Sequence, residues 1–114
     1  MDFPGRYPAT RMRRMRYDVF SRRLRQEHQL TANDLIYPVF VLDKAKGTET
    51  VKSMPGVERL GMEDLLRTAE SAVKARVPAL ALFPVIESAK KSLNAEEAYS
   101  PKGLVPRAVK ELKL

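Results

Sequence analysis

The chain has 114 residues, a formal net charge of +7, 44% hydrophobic residues, no cysteine and one histidine, His28. This length and apolar content suit one modest globular core and disfavour two full domains. The absence of cysteine excludes a disulfide framework, a thiolate nucleophile and a cysteine metal cluster in this segment, and one histidine excludes a His-rich metal site. No apolar run reaches the roughly 18 residues of a membrane span, and the amino end lacks a secretory signal, so a cytoplasmic location is expected.

The basic charge is concentrated at the amino end of the chain. Residues 1–25 contain eight arginines and two aspartates, a net charge of +6, whereas residues 26–114 carry a net charge of +1. Residues 1–10, which contain two prolines and a glycine, predict an extended lead-in. A short helix is predicted at 18–28, because a few apolar residues there recur at helical spacing.

The rest of the chain alternates between apolar runs and amphipathic patterns. Thr31 or Asn33 is a candidate cap for a single helical turn. Two continuous apolar runs, rich in β-branched and aromatic residues, predict strands buried on both faces. Two segments with apolar residues three and four positions apart predict helices. In chain order the predicted elements are a strand at 38–42, a polar loop at 43–57, a helix at 62–76, a strand at 79–83, a polar stretch at 86–103 and a helix at 104–114.

The order strand, helix, strand, helix favours an α/β fold with parallel strands and helices outside the sheet. Two strands cannot close a parallel barrel, and a (β/α)₈ barrel takes about 250 residues. The chain is therefore expected to be either a small open unit or a piece of a larger fold. Its last residues, "KELKL", lie inside a helical pattern without a glycine cap, which we interpret as an interruption.

Parallel α/β proteins carry their active sites at the carboxyl ends of the strands, which directs attention to the loops at 43–57 and 84–102. Lys90 and Lys91 are candidate Schiff-base amines, because a desolvated lysine beside another cation loses its proton more readily. The alternative, which we favour, is a pair of solvated lysines on a loop.

Other titratable groups give weaker indications of chemistry. Glu96 and Glu97 are a candidate carboxylate pair for acid/base catalysis, but acidic residues following Asn94 fit the amino terminus of a helix better. No serine or acid lies at a diagnostic spacing from His28, so its sequence position supports no catalytic role. The five glycines are scattered, which disfavours a phosphate-binding loop.

The segment at 11–25 contains seven arginines and permits two interpretations. Its charge suits contacts with nucleic-acid phosphates. Its use of arginine, interleaved with tyrosine, methionine and phenylalanine, equally suits a protein interface in which guanidinium groups pair with a neighbour's carboxylates. Composition alone leaves both interpretations open.

Four stretches together resemble one family, porphobilinogen synthase, also called delta-aminolevulinic acid dehydratase. They are "YPATRMRRMRYDVFSRRLRQEHQLTANDLIYPVFV", "SMPGVERL", "PALALFPV" and "KKSLNAEEAYSPKGLVPRAVKELK". The four stretches occur in the family's order and cover nearly the whole chain. The resemblance is greatest to bacterial members.

The resemblance implies an N-terminal oligomerisation arm with a short helix at 1–30 and the first two βα units of a TIM (β/α)₈ barrel at 31–114. It also implies a homo-octamer in which the arm wraps around a neighbouring subunit, which makes nucleic-acid binding disfavoured. The residues that it assigns to the subunit interface are Arg11, Arg13, Arg14, Arg16, Tyr17, Phe20, Arg22 and Arg23.

The family's reaction condenses two molecules of 5-aminolevulinate into porphobilinogen for haem and other tetrapyrroles. Two lysines form Schiff bases with the substrates, because a protonated imine withdraws electrons more strongly than a ketone does. Many members also use zinc or magnesium. In the family these lysines and the metal loop lie beyond the position of Leu114, so the resemblance assigns no catalytic or metal-binding residue to this segment. The segment alone is expected to be inactive.

The first two strands of a barrel have unpaired edges and an uncovered inner face, so the isolated segment is expected to be unstable or self-associating. Alternatives that the sequence leaves open are a small basic binding module and a truncated chain that docks onto full-length subunits through its arm. The side chains expected to be partly uncovered are Val39, Val41, Leu80, Leu82 and Phe83.

Overall fold

A computed structural model describes residues 5–113 of the chain. The predictions for residues 1–4 and for Leu114 lie outside these residues. The elements are α1 (Arg14–Tyr17), α2 (Val19–Leu24), a 3-10 turn (Ala32–Asp34), β1 (Ile36–Val41), β2 (Thr48–Thr50), β3 (Glu58–Leu60), α3 (Met62–Lys74), β4 (Ala79–Pro84), a 3-10 turn (Ser88–Lys90), α4 (Glu96–Tyr99) and α5 (Leu104–Leu112).

The chain divides after Leu30 into two compact units. The first unit contains α1 and α2. The predicted helix at 18–28 is therefore shorter than expected, and the lead-in is not extended throughout, because the N–H of Thr10 closes a turn on the carbonyl of Arg6 at 2.9 Å. No helix among residues 5–113 is both long and apolar enough to cross a membrane.

The second unit is an α/β structure built on a four-stranded sheet with the order β2-β3-β1-β4. Strand β1 is parallel to β4, with Ile36 opposite Ala79 and Val41 opposite Pro84, and it is also parallel to β3. The parallel pairing of the two predicted strands is thus confirmed. Strands β2 and β3 form an antiparallel hairpin that was not predicted: β2 lies inside the segment predicted as a polar loop at 43–57, and β3 follows directly after it.

A turn capped by Thr31 introduces β1, as predicted. The Thr31 N–H and hydroxyl both donate to the Asp34 carboxylate, at 2.7 and 3.0 Å. These bonds stabilise the turn and lower the pKa of Asp34, chiefly through the backbone N–H. Asn33 does not cap the turn.

The core lies between one face of the sheet and the helices α3 and α5. Its buried side chains come from both layers and are Val39, Val41, Leu60, Leu65, Leu104 and Ala108. Leu80 and Leu82 of β4 pack against this cluster from the same face. Because successive side chains of a strand point to opposite faces, the intervening residues of β1 and β4 point away from both helices.

This arrangement corrects the prediction of which side chains are uncovered. Val39 and Val41 are only 3% and 0% exposed, because α3 and α5 cover them, while Leu80 and Leu82 are half-buried. Phe83 is exposed as expected, at 49%, and its ring lies 5.8 Å from that of Phe40 on the opposite face. The strands are therefore covered on one face within the described residues rather than buried on both.

Helix α3 begins against the loop that follows β1. The N–H groups of Gly61, Met62 and Glu63 donate to the carbonyls of Gly47, Lys44 and Ala45, at 2.8, 2.9 and 2.9 Å. These backbone bonds satisfy donors that have no partner inside the helix. In the opposite direction, the N–H of Gly47 in the loop donates to the carboxylate of Asp64 in the helix at 2.7 Å.

Helix α3 ends in a left-handed turn that is occupied by an arginine. Arg76 has a φ of 59°, its N–H donates to the carbonyl of Val73, and the N–H of Val77 donates to that of Ala72. This pair of bonds is the Schellman arrangement, whose left-handed position favours glycine. A side chain with a Cβ is strained there by about 1–2 kcal/mol.

Replacing Arg76 by glycine is expected to raise the free energy of unfolding by about 1 kcal/mol, because glycine adopts a positive φ without the clash of a Cβ. Urea denaturation of both proteins measures this difference. The matched control is Arg67→Gly in the exposed middle of α3, which should lower stability by about 1 kcal/mol. Equal losses from both substitutions would contradict this account of Arg76.

Candidate functional site

The carboxyl ends of β1 and β4 meet at one edge of the sheet. The N–H of Val85, just after β4, donates to the carbonyl of Val41 at 2.8 Å, so the parallel ladder continues to the last residues of both strands. Asp43 follows β1 at this edge, and the segment 87–102 follows β4. Polar side chains from both connections therefore meet at the face where α/β proteins carry their active sites.

Asp43 is the centre of the polar cluster at this edge. Its Oδ1 accepts a hydrogen bond from Nη2 of Arg107 at 2.6 Å, and its Oδ2 accepts one from Nζ of Lys90 at 3.0 Å. The bond from Arg107, followed by that from Lys90, lowers the pKa of Asp43. The carboxylate is therefore ionised at neutral pH. Nε of Arg107 also donates to the carbonyl of Lys102 at 3.0 Å, which adds the end of the segment to the cluster.

Lys90 has the wrong electrostatics for a Schiff-base nucleophile. Its hydrogen bond to Asp43, reinforced by the negative charge of that carboxylate, raises the pKa of Lys90. An amine nucleophile needs the opposite shift, since only the unprotonated form attacks a carbonyl. Lys91, on the same loop, is also exposed, so it is not a desolvated amine either. Both lysines are exposed, which agrees with the prediction of two solvated lysines on a loop; Lys90 is in addition paired with Asp43.

The carboxylates of Glu96 and Glu97 are used for local structure. Glu96 accepts hydrogen bonds from the hydroxyl of Ser92 and, at 3.3 Å, from Nδ2 of Asn94. Glu97 accepts the N–H of Leu104, the first residue of α5, at 3.1 Å. The two side chains thus point to different partners, and the interpretation as helix-terminal acids is confirmed over a paired acid/base site. The cap residue of α4 is Ala95, not Asn94.

His28 lies in the first unit and is exposed. No ligand cluster is present elsewhere: among residues 5–113, no three His, Cys, Asp or Glu side chains lie where they could hold a metal ion together. The zinc or magnesium implied by the family resemblance therefore has no fitting set of donors in this part of the chain.

The loops predicted to carry the site do lie at this edge, but Asp43, its central residue, was not among the predicted site residues. Asp43 is the first polar residue after the apolar run of β1, and that position is the signal that could have identified it. Its partner Arg107 lies 64 positions away on a helix, and no spacing rule connects the two. The two residues meet because β4 is parallel to β1 and α5, which follows β4, packs on the same sheet next to the end of β1.

The first unit presents its arginines and aromatic rings to solvent. All eight predicted interface residues are exposed, with Tyr17 at 83% and Phe20 at 67%. Nη1 of Arg22 donates to the carbonyls of Arg16 and Tyr17, both at 3.0 Å, so this guanidinium also joins α1 to α2. The guanidinium of Arg11 lies 5.7 Å from the ring centroid of Tyr7. The structure leaves the role of these residues as a prediction.

Comparison with known proteins identifies relatives along almost the whole chain. Residues 9–114 match the family model described as delta-aminolevulinic acid dehydratase. A relative with that name from Bradyrhizobium diazoefficiens is 41% identical over 105 residues, which are 92% of this chain and 30% of the relative. Another from Methanothermus sociabilis is 37% identical over 108 residues, which are 95% of this chain and 33% of the relative. The chain spans about a third of the length of these curated relatives.

The fold is also similar to that of a solved structure. The delta-aminolevulinic acid dehydratase (porphobilinogen synthase) of Toxoplasma gondii, solved in complex with the reaction product porphobilinogen, matches with a TM-score of 0.80 and 43% sequence identity. The match covers 91% of this chain and 29% of the solved chain. These comparisons give no support to the alternative of a basic nucleic-acid-binding module.

Proposed function

Because the chain belongs to the delta-aminolevulinic acid dehydratase family, we propose that it is the amino-terminal part of an enzyme that condenses two molecules of 5-aminolevulinate into porphobilinogen. The observation that carries this proposal is the family match over residues 9–114, together with a similar solved structure at 43% identity. The proposed enzyme is a hydro-lyase of tetrapyrrole biosynthesis with a cytoplasmic location.

The contribution of this chain to that activity is architectural. Lys90 is paired with a carboxylate, every lysine among the described residues is exposed, and no group of three metal-binding side chains is found in that part of the chain. The family resemblance implies that the two Schiff-base lysines and the zinc or magnesium ligands belong to other parts of the enzyme. The residues present here build the sheet edge onto which those parts are added.

The second unit is proposed to form the first two βα units of a TIM (β/α)₈ barrel. Strands β1 and β4 are parallel, and both helices that pack on them lie on one face, as in such a barrel. The opposite face carries the partly exposed rings of Phe40 and Phe83. Strand β4 is the last strand of the sheet, so its outer edge is available to a further strand.

The first unit is proposed to be an oligomerisation arm that contacts a second copy of the protein, in an octamer. Its support is the exposure of large apolar and guanidinium side chains on α1 and α2, which are typical of interfaces. The proposed contact residues are Arg11, Arg13, Arg14, Arg16, Tyr17, Phe20, Arg22 and Arg23.

The proposal predicts that the complete gene product forms porphobilinogen from 5-aminolevulinate, while residues 1–114 alone do not, because the proposed Schiff-base lysines are absent from them. Product formation measured on purified protein, with native mass determined on the same sample, checks both activity and assembly. A well-folded, metal-supplemented gene product of about three times this chain's 12.9 kDa that forms no porphobilinogen would contradict the proposed function.

A further inference from the structure

The segment 87–102, between β4 and α5, buries almost none of its side chains. Every residue in it is exposed except Glu97 and Ser100, which are half-buried. Its regular structure is limited to one 3-10 turn and the four residues of α4. A segment with so little buried apolar surface has little packing to hold it in one position.

Hydrogen bonds of the segment's own backbone are mostly local. The N–H of Lys90 donates to Glu87, that of Ala95 donates to Ser92, and that of Ser100 donates to Glu96. Such bonds shape the turns but do not fix the segment to the rest of the unit. The attachment must therefore come from side chains that bridge long distances in sequence.

Two of those bridges meet on Asp43. Lys90, near the beginning of the segment, donates to one carboxylate oxygen, and Arg107 of α5 donates to the other. Arg107 also donates to the carbonyl of Lys102 at the end of the segment. One carboxylate thus connects both ends of the segment to the carboxyl end of β1. A third contact, from the N–H of Leu104 to Glu97, holds its middle.

All three side chains of this cluster are accessible to solvent. The exposed fraction of the side chain is 39% for Asp43, 43% for Lys90 and 44% for Arg107. Ion pairs at such sites are weak and are screened by salt, so they form and break readily. The surrounding charged groups that face Asp43 or its partners are Lys44 beside it, Glu63 on α3, Lys110 and Glu111 on α5, and Glu87 and Glu97 in the segment.

An apolar cavity of about 410 Å³ lies beneath the segment. Pro84 and Ile86 line it from the end of β4, Ala95 and Ala98 from the segment, and Val105 from α5. Six of its nine lining residues belong to the segment, so movement of the segment away from β4 would remove most of that lining and expose the apolar end of β4.

We propose that Asp43 is a latch: its carboxylate holds the segment 87–102 against the carboxyl ends of β1 and β4, and breaking its two ion pairs releases the segment and exposes the apolar lining of the cavity. The latch is a conformational device of this edge of the sheet and does not depend on the proposed catalytic activity. Lys90 acts in it as the movable partner, while Arg107 is the partner fixed on a helix.

Hydrogen exchange on the full-length protein tests the latch. In Asp43→Asn at low salt, the amides of 87–102 should exchange about threefold to tenfold faster than in the unmodified protein, because two screened ion pairs are lost. Amides of β1 and β4 should keep their rates. The matched control is Glu49→Gln, which removes another exposed carboxylate that pairs with two cations, Lys44 and Arg59, away from the segment.

Salt and a second variant complete the test. High salt should accelerate the segment's exchange in the unmodified protein and leave Asp43→Asn nearly unchanged, since the pairs that salt screens are already absent there. Lys90→Gln, a conservative change on an exposed loop, should accelerate exchange around 87–91 most strongly. Unchanged exchange of the segment in both variants, or acceleration spread equally over β1 and β4, would overturn the latch.

Discussion

Replacing Gly103 by alanine is expected to destabilise the protein by about 3 kcal/mol, because the new methyl group collides with backbone. A Cβ at this position would lie 2.1 Å from the carbonyl oxygen of Glu97 and 3.0 Å from that of Ser100. Gly103 is buried, and its N–H donates to the Ser100 carbonyl at 2.8 Å, so the chain cannot move aside without losing this bond. Urea denaturation measures the loss.

Substitution of a second glycine, Gly56, serves as the control, because it shows the cost of replacing a glycine where no collision occurs. Gly56 has a φ of 81°, and a Cβ added there would meet no atom within 4 Å, so Gly56→Ala should cost about 1 kcal/mol, from backbone strain alone. The backbone amides of 97–100 should also exchange faster with solvent in Gly103→Ala, and they should keep their rates in Gly56→Ala. If the two substitutions had the same cost and neither affected that stretch, the close approach would not be the reason for glycine at 103.

Truncating Leu65 to alanine is expected to lower the free energy of unfolding by about 2–5 kcal/mol. Leu65 lies on α3, is 0% exposed and belongs to the core cluster with Val41 and Leu104. Its removal loses the hydrophobic transfer energy of the side chain and leaves a void that the neighbouring sheet and helix fill only in part. Urea denaturation of the full-length protein gives the difference.

Val73 provides the control on the same helix. Its side chain is 74% exposed in the second unit, so Val73→Ala should change stability by no more than about 0.5 kcal/mol. Comparable losses from Leu65→Ala and Val73→Ala would mean that the face of α3 containing Val73 is covered in the protein. In that case α3 would be covered on two faces, one packed on the core and the other, containing Val73, in contact with another part of the protein.

The main strands and helices of the second unit are predictable because each is encoded locally. The apolar runs become β1 and β4 within two residues of the predicted bounds at every end, and both amphipathic patterns become helices. A continuous apolar run does not reveal which of its faces will be covered, however. That choice depends on where α3 and α5 pack, so Val39 and Val41 proved buried while Phe83 did not.

Features that depend on tertiary contacts could not be predicted from local sequence patterns. Strands β2 and β3 have three residues each and show no strand pattern in the sequence, because they are defined by the pairing of β2 with β3 and of β3 with β1. The positive φ of Arg76 could not be predicted, because arginine rarely adopts this conformation. The proposed barrel is implied by the family resemblance, and no local pattern within residues 31–114 predicts it.

The carbonyl groups that close the start of α3 have an electrostatic consequence for anion binding. A helix amino terminus normally attracts anions through its free N–H groups and its positive dipole end. Here the loop after β1 occupies donors of that terminus, and the carboxylates of Glu63 and Asp64 add negative charge beside it. An anionic group would therefore be repelled from this end of α3, and the start of the helix is not an anion-binding site.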